Sequence, residues 1–398
     1  MEKKLLVTAL LLCAGSVNIC ASVEEKSDSL LPKAISRRMQ WRVGVEVAPA
    51  YVLPTSDFVK GLNVADKKVN ATLTGTLRGD FSFNPRSKTG RLYPGLYQGV
   101  GIDVRSFFRP DLLATPVSAY VMQGAPIKNF TDRLSLGYEW RFGCAFGWAD
   151  RSHDYSDYFL FPAVCTRVTA HMGVGLKLNY KLSPRWLLSA GVDATHFSNG
   201  NTSFPNAGIN TVGASIGVSY IINPDTVKYR PTTEMVEEAD RNRWVWDVMG
   251  YGAWRKREYT GMPLLPGSYG VAGVQFTAAR KFNRYFDAGL ALDMKYDGSA
   301  GKKSYWSDWT ESGIKPDRVP FFSRCSVGLG AVAEFTMPIF TIGAGVGFNV
   351  INPEGDQRFY QLLYIKTFVT RHLYLNTGYR LGNFKAPQNL MLGLGYRW

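Results

Sequence analysis

Polar and apolar residues alternate with period two over long stretches of this chain. From Ala71 to Phe83, the residues Leu73, Leu77, Phe81 and Phe83 share one parity, and Thr72, Thr74, Thr76, Arg78, Asp80 and Ser82 share the other. From Phe286 to Tyr296, Phe286, Ala288, Leu290, Leu292, Met294 and Tyr296 alternate with Asp287, Gly289, Ala291, Asp293 and Lys295. From Cys325 to Met337, Val327, Leu329, Ala331, Ala333 and Phe335 alternate with Ser326, Gly328, Gly330 and Glu334. A two-residue period puts the two sets on opposite faces of a strand, so each segment predicts a β-strand with one apolar and one polar face. Roughly sixteen such candidate strands are present, eight before Ile222 and eight after Asn242.

The connections narrow the fold. The turns "KLSPR", "KFNRY", "MP" and "TRH" are tight, and they alternate with long loops at Pro54 to Asn70, Ala149 to Val164, Ser198 to Ile209, Tyr259 to Gly267 and Gly298 to Arg318. Short turns at one end and long loops at the other are the pattern of an antiparallel, transmembrane outer-membrane β-barrel, whose apolar face meets lipid and whose polar face lines the interior. The chain ends "NLMLGLGYRW", an amphipathic strand with a terminal Trp398 that resembles the assembly signal of such barrels. A soluble sandwich is the competing all-β arrangement. Two barrel arrangements fit the strand count: one barrel of about 14–16 strands, the first expectation, or two linked eight-stranded units. "NPDTVKYRPTTEMVEEADR", residues 223–241, reads as a polar periplasmic linker between residues 41–222 and 242–398. The two halves also look distantly alike. "VTAHMGVGLKLNYKLSPRWLLSAGV" parallels "CSVGLGAVAEFTMPIFTIGAGV", which would put Val350 at the place of His196 and Asn352 at that of Ser198.

Composition changes this picture in a few places. The first 21 residues carry Lys3 and Lys4, an apolar run from Leu5 to Val17 and a small-residue site ending at Ala21, the layout of a cleaved secretory signal peptide. After Ser22 no apolar run reaches the length of a membrane helix. The chain is 14% aromatic and 20% charged with 40 glycines, which suits an exported β-protein. Net charge is +14, but no basic block or nucleic-acid motif stands out. An anionic lipid or glycolipid at the cell surface is therefore the more natural partner than nucleic acid. No cysteine spacing suits zinc, and no metal or organic cofactor is implied. Cys144 and Cys165 bracket one long loop and are a candidate disulfide, whereas Cys325 stands alone on an apolar face.

Candidate chemistry lies in "DATHFSNGNTSFPNAGIN", Asp193 to Asn210. Alternation from Trp186 puts Leu188, Ala190, Val192 and Ala194 on the apolar face, and His196 and Ser198 continue that parity. On the next strand Asn210 shares the parity of Val212, Ala214, Ile216, Val218 and Tyr220. The hairpin should thus place His196, Ser198 and Asn210 together on the outer, lipid-side face near the rim. Polar groups there are costly without partners, which makes them functional suspects. The plainer reading is a hairpin top at headgroup level.

The stretch "HFSNGNTSFPNAGIN" resembles the signature of the outer-membrane lipid A 3-O-deacylase (PagL) family: His-x-Ser-Asn, a short polar stretch, Pro-Asn-x-Gly-Ile, and a final residue fourteen after the histidine. The resemblance implies a lipid A (lipopolysaccharide) esterase of the outer membrane working by serine hydrolysis, with Ser198 as nucleophile and His196 as general base. It implies Asn206 as an oxyanion donor, helped by Asn199 and the amides around Gly200. The family has a glutamate where this chain has Asn210, an amide that can accept from the imidazole but cannot balance its charge. The competing class is a non-enzymatic barrel, a porin or structural protein, with a relic signature.

Overall fold

The computed structural model describes residues 39–85, 87–151, 153–154, 160–224, 243–256, 268–302, 304–306, 314–316, 318–353, 357–384 and 386–398. The expected signal peptide over 1–21 and most of the expected linker over 223–241 lie outside the described residues.

The first barrel is built from β1 (Met39–Val52), β2 (Ala71–Phe83), β3 (Tyr97–Ser106), β4 (Val117–Asn129), β5 (Leu134–Phe146), β6 (Val168–Lys181), β7 (Trp186–Ser198) and β8 (Ile209–Ile221). Each strand pairs antiparallel with the next, and β8 returns to β1 through pairs such as Val45↔Val218. The second barrel is built from β9 (Trp244–Arg255), β10 (Tyr269–Lys281), β11 (Phe286–Asp297), β14 (Cys325–Thr336), β15 (Phe340–Ile351), β16 (Phe359–Phe368), β17 (Leu373–Gly382) and β18 (Ala386–Arg397). It closes through β18 and β9, where Leu394 lies opposite Gly250. The short hairpin β12 (Ser304–Trp306) and β13 (Ile314–Pro316) belongs to the loop between β11 and β14. The all-β outer-membrane barrel class holds, and of the two arrangements it is the pair of eight-stranded units that forms. A single ring of fourteen to sixteen strands is excluded because β8 spends its second edge on β1.

Closure also corrects the internal repeat. β6 and β7 are the sixth and seventh strands of their barrel, whereas β14 and β15 are the fourth and fifth of theirs. Val350 and Asn352 are thus not the positional counterparts of His196 and Ser198. The seventh strand of the second barrel is β17, whose last half-exposed positions are Tyr379 and Leu381.

The two faces of the strands sort as the alternation requires. On β2, Thr72, Thr74, Thr76, Arg78 and Asp80 are buried while Leu73 and Leu77 are exposed. Inside the first barrel, Glu46 takes Lys177 at 2.6 Å and Arg141 at 3.2 Å, and Glu139 takes Arg78 at 2.8 Å and Arg141 at 3.1 Å. Inside the second, Glu334 takes Lys366 at 2.5 Å and Arg397, while Asp247 takes Arg397 at 2.8 Å and Lys366 at 3.2 Å. Buried charges survive only when paired in this way. Aromatic residues gather at the short-turn ends: Trp41 on Phe81, Trp186 on Tyr220, and, in the second barrel, Trp244 on Trp246 and Tyr396 on Trp398. Strands of 10–14 residues with such belts fit the thickness of a bilayer.

The long-loop end of the first barrel is sealed by an apolar cap. Two single-turn helices, α1 (Asp57–Lys60) and α3 (Pro110–Leu113), bring Phe58, Val59, Leu112 and Leu113 onto Phe107, Trp148, Ala163 and Val164. Phe197 and Ile209, both fully buried, are the contributions of β7 and β8 to this cap. A third short helix, α2 (Lys88–Leu92), lies in the connection from β2 to β3, and the side chain of Ser87 caps it by accepting from the Gly90 amide.

Candidate active site

The site is built where the β7–β8 hairpin leaves the barrel wall. Phe197 points inward and is clamped by Trp148 at 5.3 Å, His171 at 5.0 Å and the Arg105 guanidinium at 5.2 Å. Burying such a ring contributes on the order of 2 kcal/mol and fixes the strand at this point. Its neighbours His196 and Ser198 must then point the other way, and both are half-buried on the outward face that carries the exposed Val192 and Ala194. Ile209 anchors β8 in the same manner and turns Asn210 outward.

His196 and Asn210 are direct cross-strand partners. Asn210 Oδ1 lies 2.6 Å from His196 Nδ1. An amide oxygen can only accept, so Nδ1 carries the hydrogen and the lone pair of the neutral ring is left on Nε2. Asn210 Nδ2 donates in turn to Thr55 Oγ1 at 2.8 Å. The ring is confined on its other side by Gly208, which has φ +70°, and a Cβ there would come within 3.0 Å of His196 Cε1.

Ser198 is the second polar residue on the same face. Its Oγ accepts from Asn206 Nδ2 at 2.9 Å. The orientation of that amide is set by the backbone, because the Asn199 N–H donates to Asn206 Oδ1 at 3.2 Å. A backbone N–H can only donate, so the Asn206 amino group must face the serine. The structure thus brings together His196 with Asn210, and Ser198 with Asn206 and the Asn199 amide. The side chain of Asn199 is buried, with Nδ2 at 3.7 Å from Cys165 Sγ. Gly200 follows in a left-handed turn, φ +62°, that folds the loop back after the serine.

The candidate disulfide does not form. Cys144, Cys165 and Cys325 are all thiols. Cys144 shares the outward parity of β5, opposite the inward Glu139 and Arg141, while Cys165 is buried in the loop between β5 and β6. Cys325 Sγ donates to Phe321 O at 3.5 Å.

Thr55 and the clamp around Phe197 are not visible in the motif, and the role of Gly208 is not legible from it. Thr55 stands 155 residues from Asn210 and reaches it only because β1 and β8 close the ring. Gly208 was present as the glycine of "PNAGI", and its positive φ is the signal that reveals its part.

A family model described as lipid A 3-O-deacylase (PagL) matches residues 163–219, which span β6, β7, β8 and the site between them. A second, described as acyloxyacyl hydrolase, C-terminal domain, matches residues 244–398, the whole second barrel. No curated relative matches the chain. Among solved structures the chain is similar to Neisserial surface protein A, with 10% identity and a TM-score of 0.29 over 45% of this chain and 96% of that one. It is similar to a de novo designed transmembrane β-barrel, with 14% identity and a TM-score of 0.24 over 46% of this chain and 95% of that one. It is also similar to the toluene transporter TodX of Pseudomonas putida, with 11% identity and a TM-score of 0.16 over 91% of this chain and 88% of that one. With both family models aligned on successive barrels, and the first falling on the His-x-Ser hairpin, the chain belongs to the lipid A 3-O-deacylase (PagL) family of outer-membrane barrels.

Proposed function

We propose that this protein is a serine esterase that removes an ester-linked acyl chain from lipid A at the outer wall of its first barrel. The observation that carries the reading is the pair of hydrogen-bonded couples on one outward face, His196 with Asn210 and Ser198 with Asn206. Ser198 Oγ attacks the ester carbonyl carbon and its proton passes to His196 Nε2, the ring nitrogen left basic by the bond at Nδ1. A free serine hydroxyl is a poor nucleophile, and an adjacent base overcomes this. Asn206 donates to Oγ rather than accepting from it, so this bond does not compete with the base for the hydroxyl hydrogen. The negative charge that develops on the former carbonyl oxygen draws on the Asn206 amino group. One such donor is worth roughly 3–4 kcal/mol of transition-state stabilisation. Collapse breaks the ester bond, the alkoxide on the sugar takes the proton from His196, and water then releases the fatty acid from Ser198 by the same steps in reverse.

The outward placement supports a membrane-resident substrate, because the acyl chains of lipid A lie in the bilayer beside the wall that carries the site. The test is mass spectrometry of lipid A from cells with and without the protein in the outer membrane. Wild type should remove the mass of one ester-linked acyl chain. Ser198→Ala should abolish the change while the barrels still insert, and His196→Ala should be nearly as damaging. Equal deacylation by wild type and Ser198→Ala would sink the mechanism. Unchanged lipid A in all strains would favour a non-enzymatic barrel.

A further inference from the structure

We propose that Thr55 is a positioning residue for this reaction, acting on His196 through Asn210; the inference rests on the esterase reading above. When His196 takes the serine proton it becomes an imidazolium, and both of its nitrogens are then donors. Asn210 can serve that state in one orientation only, with Oδ1 toward the ring and the amino group pointing away. The amino group then needs an acceptor, and Thr55 Oγ1 is at 2.8 Å. Donating to Thr55 also polarises the amide, which makes its oxygen a better acceptor for the charged ring.

The loop holds the hydroxyl in place by backbone bonds. The Leu53 N–H donates to Asn210 O at 2.8 Å, which ties the start of the loop to the very residue that Thr55 serves. The Thr55 N–H then donates to Leu53 O at 2.8 Å, a three-residue turn centred on Pro54. The fixed φ of proline suits the centre of such a turn. Thr55 is exposed and lies outside the apolar cap, so its side chain is not needed to pack the loop.

A hydroxyl accepts from an amide but donates to a carboxylate, and this difference gives the test. In wild type, Thr55→Val should lower kcat about three- to tenfold, the range expected from one hydrogen bond, with KM unchanged. Thr55→Ser, which keeps the hydroxyl, should restore kcat to within about twofold. In an Asn210→Asp background the threonine would donate to the carboxylate and weaken it as an acceptor for His196, so Thr55→Val should leave kcat equal or raise it. The measurements are initial rates of fatty-acid release from lipopolysaccharide by purified, detergent-solubilised full-length protein. Wild-type rates in Thr55→Val, or the same loss in both backgrounds, would overturn the inference while leaving the esterase reading standing. No release by wild type would overturn both.

Discussion

Replacing Asn210 by aspartate changes one charge and almost no volume, so it isolates what the amide costs the proposed reaction. The carboxylate would keep an oxygen 2.6 Å from His196 Nδ1, where Oδ1 now sits. Its second oxygen would face Thr55, whose hydroxyl can turn from accepting to donating. The network therefore survives and the gain is electrostatic. With the charges of the imidazolium and carboxylate about 4 Å apart, attraction is worth about 1 kcal/mol in water and about 4 kcal/mol at the effective dielectric of a protein surface. His196 and Asn210 are both half-buried, so the site lies between these limits. The predicted rise in kcat is about 5-fold to 10³-fold. This falls short of the ~10⁴-fold acid-to-amide loss in serine proteases, part of which comes from a wrong tautomer, whereas here the Asn210 oxygen already faces Nδ1.

The assay is the rate of fatty-acid release from lipopolysaccharide by purified protein in detergent, with barrel content checked by the heat-dependent shift on SDS gels. If Asn210→Asp folds normally and its kcat equals or falls below wild type, His196 does not gain positive charge in the rate-limiting step. The assignment of His196 as general base would then be refuted.

Two further outcomes follow from the geometry. Gly208→Ala should lower kcat about 10- to 10²-fold, because its Cβ would meet His196 Cε1 and Phe197 O at 3.0 Å in a backbone conformation that costs a side chain about 1–2 kcal/mol; wild-type rates with an unshifted denaturation midpoint would show that the ring has room to spare. Glu334→Leu should destabilise the second barrel by about 3–5 kcal/mol, since Lys366 and Arg397 would lose one of the two carboxylates they share and two buried cations would be left on Asp247; a denaturant midpoint equal to that of wild type in lipid vesicles would refute this.

Strand identity was legible in the sequence because burial is decided residue by residue along each strand. The parity that separates Leu73 from Thr74 also separates Val192 from Asp193, and it carries His196 and Ser198 to the outward face without further information. Ring size was not legible in the same way. An eight-stranded and a sixteen-stranded barrel have the same local alternation, and only the long-range pairing of β8 with β1 distinguishes them. The apparent repeat failed for a related reason: glycine-rich alternating strands resemble one another in any register, so β6–β7 could be laid on β14–β15 although the strands differ by two places in their rings. The single-turn helices α1 and α3 are too short to show a helical period, yet they supply much of the cap that holds Phe197. Most of the site, including His196, Ser198, Asn206 and Asn210, lay within one fifteen-residue stretch. Thr55 did not, because nothing in "LPTSD" distinguishes it from other loop threonines until the ring closes beside it.

On the esterase reading, the position of the site along β7 follows from what each depth of the wall can tolerate. The interior of the first barrel is occupied by Glu46, Arg78, Glu139, Arg141 and Lys177, whose charges satisfy one another. A substrate entering there would have to break several buried ion pairs, each strongly unfavourable to disrupt. The outer face is open to lipid, but at Leu188, Ala190, Val192 and Ala194 it is apolar, and an unpaired histidine or serine at that depth would be costly. Only the last two outward positions of the strand are both next to lipid and within reach of loop groups, and they are His196 and Ser198. Thr55 and Asn206 come from those loops, and the Asn199 amide from the first residue beyond the strand. The ester bonds of a lipid lie at the same boundary, with acyl chains below and polar groups above. The second barrel has the same outward apolar wall, but at the corresponding end of β17 it offers Tyr379 and Leu381, with neither an imidazole nor a hydroxyl pair. On that reading the wall is reactive where its outward alternation is continued by partnered polar residues at the rim, as it is on β7.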